Sequence, residues 1–207
     1  MPYAWIYLMA LGFAVGLSGA LIPGPLLVYT IRESLDRGRW TGLKTIAGHA
    51  IVEVGVVLVI ALGVSGFVNS PIFFRLVSIL GGVFLVYIAA AGFRDTKIDL
   101  SKVSAPYGPI VGGVIFTAFN PSFLPWWVTA GSRLLLEGYL TLGVLGAALV
   151  FVGHWVADFG WYITVSMTTD SKKHSIIERG WYLKLKKILS SLMLAIGVYF
   201  AYTGVTY

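Results

Sequence analysis

A chain of 207 residues with 57% hydrophobic and only 12% charged residues cannot cover a water-facing surface, because soluble domains carry about 25% charged residues. Without cysteine it has no disulfide framework and no thiolate metal site. Its net charge of +6 points first to orientation across a bilayer and only then to acidic partners. At about 20 apolar residues per span the length allows roughly six to eight spans. The long unbroken apolar runs predict helices, not the alternating segments of a membrane barrel.

Taken in chain order, the apolar runs predict spans at about 4–31, 41–64, 70–93, 108–131, 139–167 and 182–205. No Lys or Arg precedes Arg32, so a basic signal-peptide n-region is missing and the first span reads as retained. Segment 32–44 reads as a short charged loop, 65–71 as a tight turn and 94–107 as the polar midpoint of the chain. Segment 168–187 is basic, and Ile176–Leu185 is expected to form a short amphipathic surface helix. The loops after spans one, three and five hold thirteen Lys and Arg, against Arg75 and Arg133 in the loops after spans two and four. By the positive-inside rule both termini are expected outside, with the basic loops cytoplasmic, in a multi-pass protein of the cell membrane.

The chain repeats itself. Gly48-His49-Ala50-Ile51-Val52-Glu53 and Gly153-His154-Trp155-Val156-Ala157-Asp158 share the pattern Gly-His-x-x-x-acid. Each motif follows a proline-interrupted span, broken at Pro23-Gly24-Pro25 in one case and at Asn120-Pro121-Ser122, with Pro125 beyond, in the other. The expected fold is therefore an all-α integral membrane protein of six helices in two three-helix repeats, 1–98 and 108–207, joined by a cytoplasmic linker at 99–107. Because three is odd, the repeats must be inverted, the plan of many secondary transporters, in which matched helix breaks point to the binding site.

Glu53 and Asp158 are the acids expected well inside a span. A charge at the bilayer centre costs about 2.5–3.5 kcal/mol on insertion scales, so such residues face the bundle interior and usually act there. The spacing i, i+4 sets His49 with Glu53, and His154 with Asp158, on one helix face. This set suits proton coupling or cation binding; the plain alternative is a pair of hydrogen bonds fastening helices. Prolines remove backbone donors, and a helix restarting near Leu26 offers free N–H groups and partial positive charge to an anion such as an α-carboxylate. Pro23, Gly24, Pro25, Asn120, Pro121 and Ser122 are thus candidate substrate contacts, with packing kinks as the alternative. Trp126 and Trp127 read as an interfacial belt or packing, or as a cage holding a cationic substrate. Gly12, Gly16, Gly81, Gly82, Gly143 and Gly146 read as sites of close helix contact.

Pro23-Gly24-Pro25, the following loop Arg37-Gly38-Arg39-Trp40-Thr41-Gly42-Leu43, and Gly48-His49 with its acid at Glu53 resemble the lysine-exporter (LysE-type) family of amino-acid exporters. Asn120-Pro121 carries the resemblance into the second half. Leu26 stands where the family has Asn, Glu53 where it has Asp, and the run Asn120 to Trp127 marks a divergent branch. The resemblance implies a proton-driven exporter of amino acids or small cationic solutes, and relatives in the wider superfamily move divalent metals.

The expected function is therefore secondary active export by alternating access, coupled to protons through His49, Glu53, His154 and Asp158. A divalent-cation transporter using those four residues as ligands is the alternative. A membrane-embedded metal-dependent enzyme is the weaker one, since no nucleophile or zincin motif is present. No cofactor is called for, and without a nucleotide-binding loop the chain cannot by itself use ATP. The expected partners are a small molecule (an amino acid or a cation) and the lipid bilayer, with a homodimer admitted and no nucleic acid.

Overall fold

A backbone in lipid must bond to itself. In the computed structural model, which describes residues 3–21, 24–62, 71–94, 106–120, 123–178 and 181–206, it does so by helices alone, with no strand among the described residues. The elements are α1 (Ala4–Ala20), α2 (Pro25–Arg37), α3 (Thr41–Ala61), α4 (Pro71–Arg94), α5 (Gly108–Ala118), α6 (Phe123–Trp126), a π-helical turn (Trp127–Gly131), α7 (Ser132–Glu178) and α8 (Trp181–Thr206). By length and apolarity α3 and the stretch Phe123–Lys173 qualify as membrane spans, and the bent pair α1–α2 qualifies as a third. Ser78–Tyr87, Gly108–Ala118 and Ser190–Thr206 are shorter apolar helices.

Polarity is inverted relative to a water-soluble protein. Ile51, Leu58, Leu62, Leu140 and Val144 stand on the outside, whereas Thr30, Glu33, Ser34, Thr45, Glu53, Asp158 and Ser166 are buried. With an apolar solvent there is no hydrophobic drive between helices, so close backbone approach and interhelical hydrogen bonds have to supply cohesion. Glycine provides the approach. Helix α1 lies along α7, α3 along α5, and α4 along α8. A side chain on Gly12 would strike the Val150 carbonyl, and one on Gly153 the Met9 carbonyl. Between α3 and α5, Gly113 would strike the Thr45 carbonyl and Gly48 the Ile110 carbonyl. Adding 101 to Met9 and Gly12 gives Ile110 and Gly113, and adding 105 to Thr45 and Gly48 gives Val150 and Gly153. The four contacts therefore map onto one another pair by pair. Gly82 packs in the same manner against Gly197 and Ala201.

Several expectations change. Helix α2 runs on to Arg37, so residues 32–37 are helix and not loop. Glu33 is a further buried acid, paired with Arg37 at 2.9 Å. After the π turn the chain stays helical through the predicted loop at 132–138 and breaks instead at Leu142 and Gly143. Gly143, at φ +61° with no atom near its missing side chain, is the hinge of that break and not a packing glycine. The arms on either side fold back, with Gly138 against the Gly146 carbonyl. The expected surface helix at Ile176–Leu185 does not form a separate element: α7 extends to Glu178 and α8 starts at Trp181. Pro23, Pro121, Ser122, most of the turn at 65–71 and most of the linker at 94–107 lie outside the described residues.

Overpacking costs about 1–3 kcal/mol when the neighbour cannot yield. Gly48→Val, aimed at a backbone carbonyl, should lower the thermal midpoint of the purified protein in detergent. Gly55→Ala, with nothing within 4 Å of the glycine, should leave it unchanged. Equal behaviour of the two variants would contradict the packing described.

Candidate functional site

Both broken helices stop where an unbroken one would fill the centre of the bundle. Helix α1 ends at Ala20 and α2 resumes at Pro25, its axis turned by 78°. Gly24 caps α2 in extended conformation, and Pro25 occupies the first turn, where its missing N–H costs nothing. Tyr29 anchors the new helix. Its ring stacks on Phe116 at 4.5 Å, lies against Gly112 where any side chain would collide, and its hydroxyl donates to the Gly108 carbonyl at 3.1 Å. In the second half α5 ends at Ala118 and helix resumes at Phe123. The π turn that follows is closed by side chains, with Thr129 Oγ1 donating to the Pro125 carbonyl at 2.6 Å and Ser132 Oγ to the Trp127 carbonyl at 2.8 Å. Such wide turns recur at functional sites because they re-aim side chains. Here the neighbours Trp126 and Trp127 both reach one imidazole: Trp126 stacks on His154 at 5.1 Å and Trp127 meets it edge-on at 5.3 Å.

The four residues of the repeated motif come together. His49 Nε2 lies 3.0 Å from Glu53 Oε1 and 3.4 Å from Asp158 Oδ2. His154 Nε2 lies 2.9 Å from Glu53 Oε1 and 3.3 Å from Asp158 Oδ2. Each imidazole thus sits between two carboxylates, and the shortest contact joins α7 to α3 rather than neighbours on one helix. An ionised carboxylate only accepts, so each ring must present Nε2–H to it. Trp127 Nε1 also donates to Glu53 Oε1 at 3.2 Å, and Trp155 Nε1 to Oε2 at 2.8 Å. Glu53, 1% exposed, therefore accepts four N–H groups, about as many as its lone pairs allow. Among the described residues Asp158 has the two longer imidazole contacts, 3.3 and 3.4 Å, and it faces a cavity. His49 Nδ1 is 2.9 Å from Thr117 Oγ1; His154 Nδ1 is buried with no partner among the described residues.

The cavity has a volume of about 420 Å³. Gly24, Pro25 and Asn120 border it at the helix breaks, the His–carboxylate cluster forms one wall, and aromatic and aliphatic side chains including Phe123, Trp126, Tyr162 and Tyr199 form the rest. Among the described residues no Lys or Arg lines it. Trp127 is buried to 1% exposure and bonded to Glu53, so the interfacial-belt reading of that residue is wrong. Of the predicted site residues, Gly24, Pro25, Asn120, Trp126, Trp127, His49, Glu53, His154 and Asp158 all line this one cavity. Trp155 and Thr117 were missed. A tryptophan at mid-span, away from either interface, was the available signal, because its indole N–H has to find a partner. A threonine within an apolar helix gives no comparable signal, since it can bond to its own backbone.

His49, Glu53 and Asp158 offer ligand atoms within 4.8 Å of one another, the spacing of a cation site. Those atoms are already one another's hydrogen-bond partners, and a ring nitrogen bearing hydrogen has no lone pair for a metal.

The LysE type translocator family model matches residues 17–204. An uncharacterized membrane protein of Pseudomonas aeruginosa is 20% identical over 97% of this chain and 92% of its own length. The leucine efflux proteins of Salmonella typhimurium and Salmonella typhi are 25% identical over 131 residues, 60% of this chain and 59% of theirs. No solved structure matches the chain.

Removing the charge from one member of a buried ionic set costs about 3–5 kcal/mol, and leaving one buried acceptor unpaired costs about 1–3 kcal/mol. Glu53→Gln should therefore lower unfolding stability in detergent more than Trp155→Phe, which removes one of the four donors to Glu53. The opposite order would show that Glu53 is not the hub of the cluster.

Proposed function

The chain belongs to the LysE type translocator family, and from that premise we propose that it is a proton-coupled exporter of neutral, apolar amino acids working by alternating access. Family membership makes it a membrane transporter and not an enzyme. The observation that supports the substrate reading is the cavity, with a His–carboxylate wall, a helix N-terminus and apolar sides but, among the described residues, no Lys or Arg. The substrate ammonium is drawn to Asp158, the carboxylate whose hydrogen-bonding capacity is not used up. The substrate carboxylate meets the start of α2 at Gly24 and Pro25, where unpaired N–H groups and the helix dipole favour an anion. Pro23, Pro121 and Ser122 belong to the same breaks. The side chain lies among Phe123, Trp126 and Tyr162. The leucine efflux relatives support this choice of cargo.

Coupling follows from charge balance. Asp158 holds either a proton or the ammonium, so each displaces the other as the cavity opens to one side and then the other. Six spans are proposed, in two inverted repeats: α1–α2, α3 and α4, then α5 through the first arm of α7, its second arm, and α8. The pairwise match of the glycine contacts at Gly12, Gly48, Gly113 and Gly153 supports a two-fold relation. The bias of basic residues supports cytoplasmic odd-numbered loops and outside termini in the cell membrane.

In reconstituted vesicles with an imposed pH gradient, the wild type should drive leucine flux. Asp158→Asn should fold yet lose the gradient-driven component to background. Undiminished proton-driven flux in that variant would overturn the mechanism, and flux of lysine but not leucine would overturn the cargo.

A further inference from the structure

We infer that the two histidines of the cluster are not equivalent: His49, held by Thr117, is the one that takes up a second proton, and His154 stays neutral. The inference rests on the proton-coupled reading and assigns within it which imidazole carries charge and which residue prepares it.

The contacts that relate the two halves identify the asymmetry. The offset of 101 that takes Gly12 to Gly113 also takes Gly16 to Thr117, and the offset of 105 that takes Gly48 to Gly153 takes His49 to His154. Gly16 lies on His154 as Thr117 lies on His49. A side chain at Gly16 would run into the His154 ring at Nδ1 and into its Cα, whereas Thr117 Oγ1 sits at hydrogen-bond distance, 2.9 Å, from His49 Nδ1. One imidazole therefore has a hydroxyl at its second nitrogen and the other has none.

A hydroxyl both donates and accepts. With His49 neutral, Thr117 donates to the bare Nδ1. With His49 an imidazolium, Nδ1–H donates to Thr117. Both states are satisfied, and Thr117 lines the cavity, so the proton has a route. Hydronium in the cavity gives a proton to Oγ1 and leaves as water, while the hydroxyl hydrogen passes to Nδ1. At His154 a second proton would create a buried N–H with no acceptor, which carries the full desolvation penalty of an unmade hydrogen bond, whereas a bare Nδ1 leaves only an unused lone pair. The ionisable surroundings do not separate the two rings. Each faces Glu53 and Asp158. Each also faces the other imidazole across Glu53 Oε1, and the remaining neighbours carry no charge: Phe123 at His49, and Trp126, Trp127 and Phe151 at His154. Thr117 is thus a positioning residue acting through His49.

The test is nitrogen NMR of the full chain, labelled with ¹⁵N-histidine, in lipid from about pH 5 to pH 9, the window in which histidine ordinarily titrates. The chain has three histidines, so His49→Gln and His154→Gln assign the two signals. The signal lost in His49→Gln should show two N–H groups over part of the range. The signal lost in His154→Gln should keep hydrogen on Nε2 alone throughout. Thr117→Val should move the His49 titration down by about one pH unit or more, and Thr117→Ser should restore it. A doubly protonated His154 at any pH, a His49 neutral at every pH, or an unmoved His49 in Thr117→Val would each overturn the inference. If Thr117→Val does not fold, the wild-type signals and Thr117→Ser still decide it, the latter by leaving His49 as in the wild type. Absence of proton-driven flux in the wild type would instead defeat the proposed function and leave the NMR assignment standing.

Discussion

The carboxylate of Glu53 holds the centre of this protein together. It accepts N–H groups from His49 on its own helix, from Trp127 on the π turn and from His154 and Trp155 on α7. A buried carboxylate is tolerated only when its lone pairs are filled. Filling them here requires α3, α7 and the π turn to converge, so the position of each is tied to the other two. The cavity beside the cluster is a consequence. The helices that would otherwise fill the space are interrupted by proline, and the cluster keeps their neighbours from closing over it.

The same set of bonds divides labour between the two acids. Glu53 accepts four N–H groups, whereas Asp158, which lines the same cavity, has two longer contacts. Two chemically similar side chains thus have different hydrogen-bonding surroundings. Glycine has a comparable double use. At Gly12, Gly48, Gly113 and Gly153 it lets helix backbones touch, which supplies cohesion where lipid cannot. At Gly16 the same small residue leaves an imidazole nitrogen without a partner.

Much of this was legible before any coordinates. Membrane class, helical structure, the helix breaks and the four ionisable residues follow from composition, from proline chemistry and from a six-residue pattern repeated 105 positions apart, because each is a local consequence of residue type. Helix ends were less legible. The stretch from Arg32 to Arg37 is as polar as a loop but folds as helix with Glu33, Ser34 and Leu35 buried, and Glu33 pairs with Arg37 one turn on. The turn after the second broken span falls at Gly143 rather than nearer Gly131, because hydropathy does not distinguish a π turn that continues from a loop that ends.

By itself the sequence determined which ionisable side chains lie within the apolar helices and that they come in two matched sets, since intramembrane charge is too costly to be incidental. Only the tertiary structure decided how the sets are joined. The shortest imidazole–carboxylate contact crosses from α7 to α3, Trp127 turns inward to complete Glu53, and Thr117 meets one histidine while Gly16 meets the other. These are contacts between residues tens of positions apart, set by how helices cross, and spacing along a single helix carries no information about them.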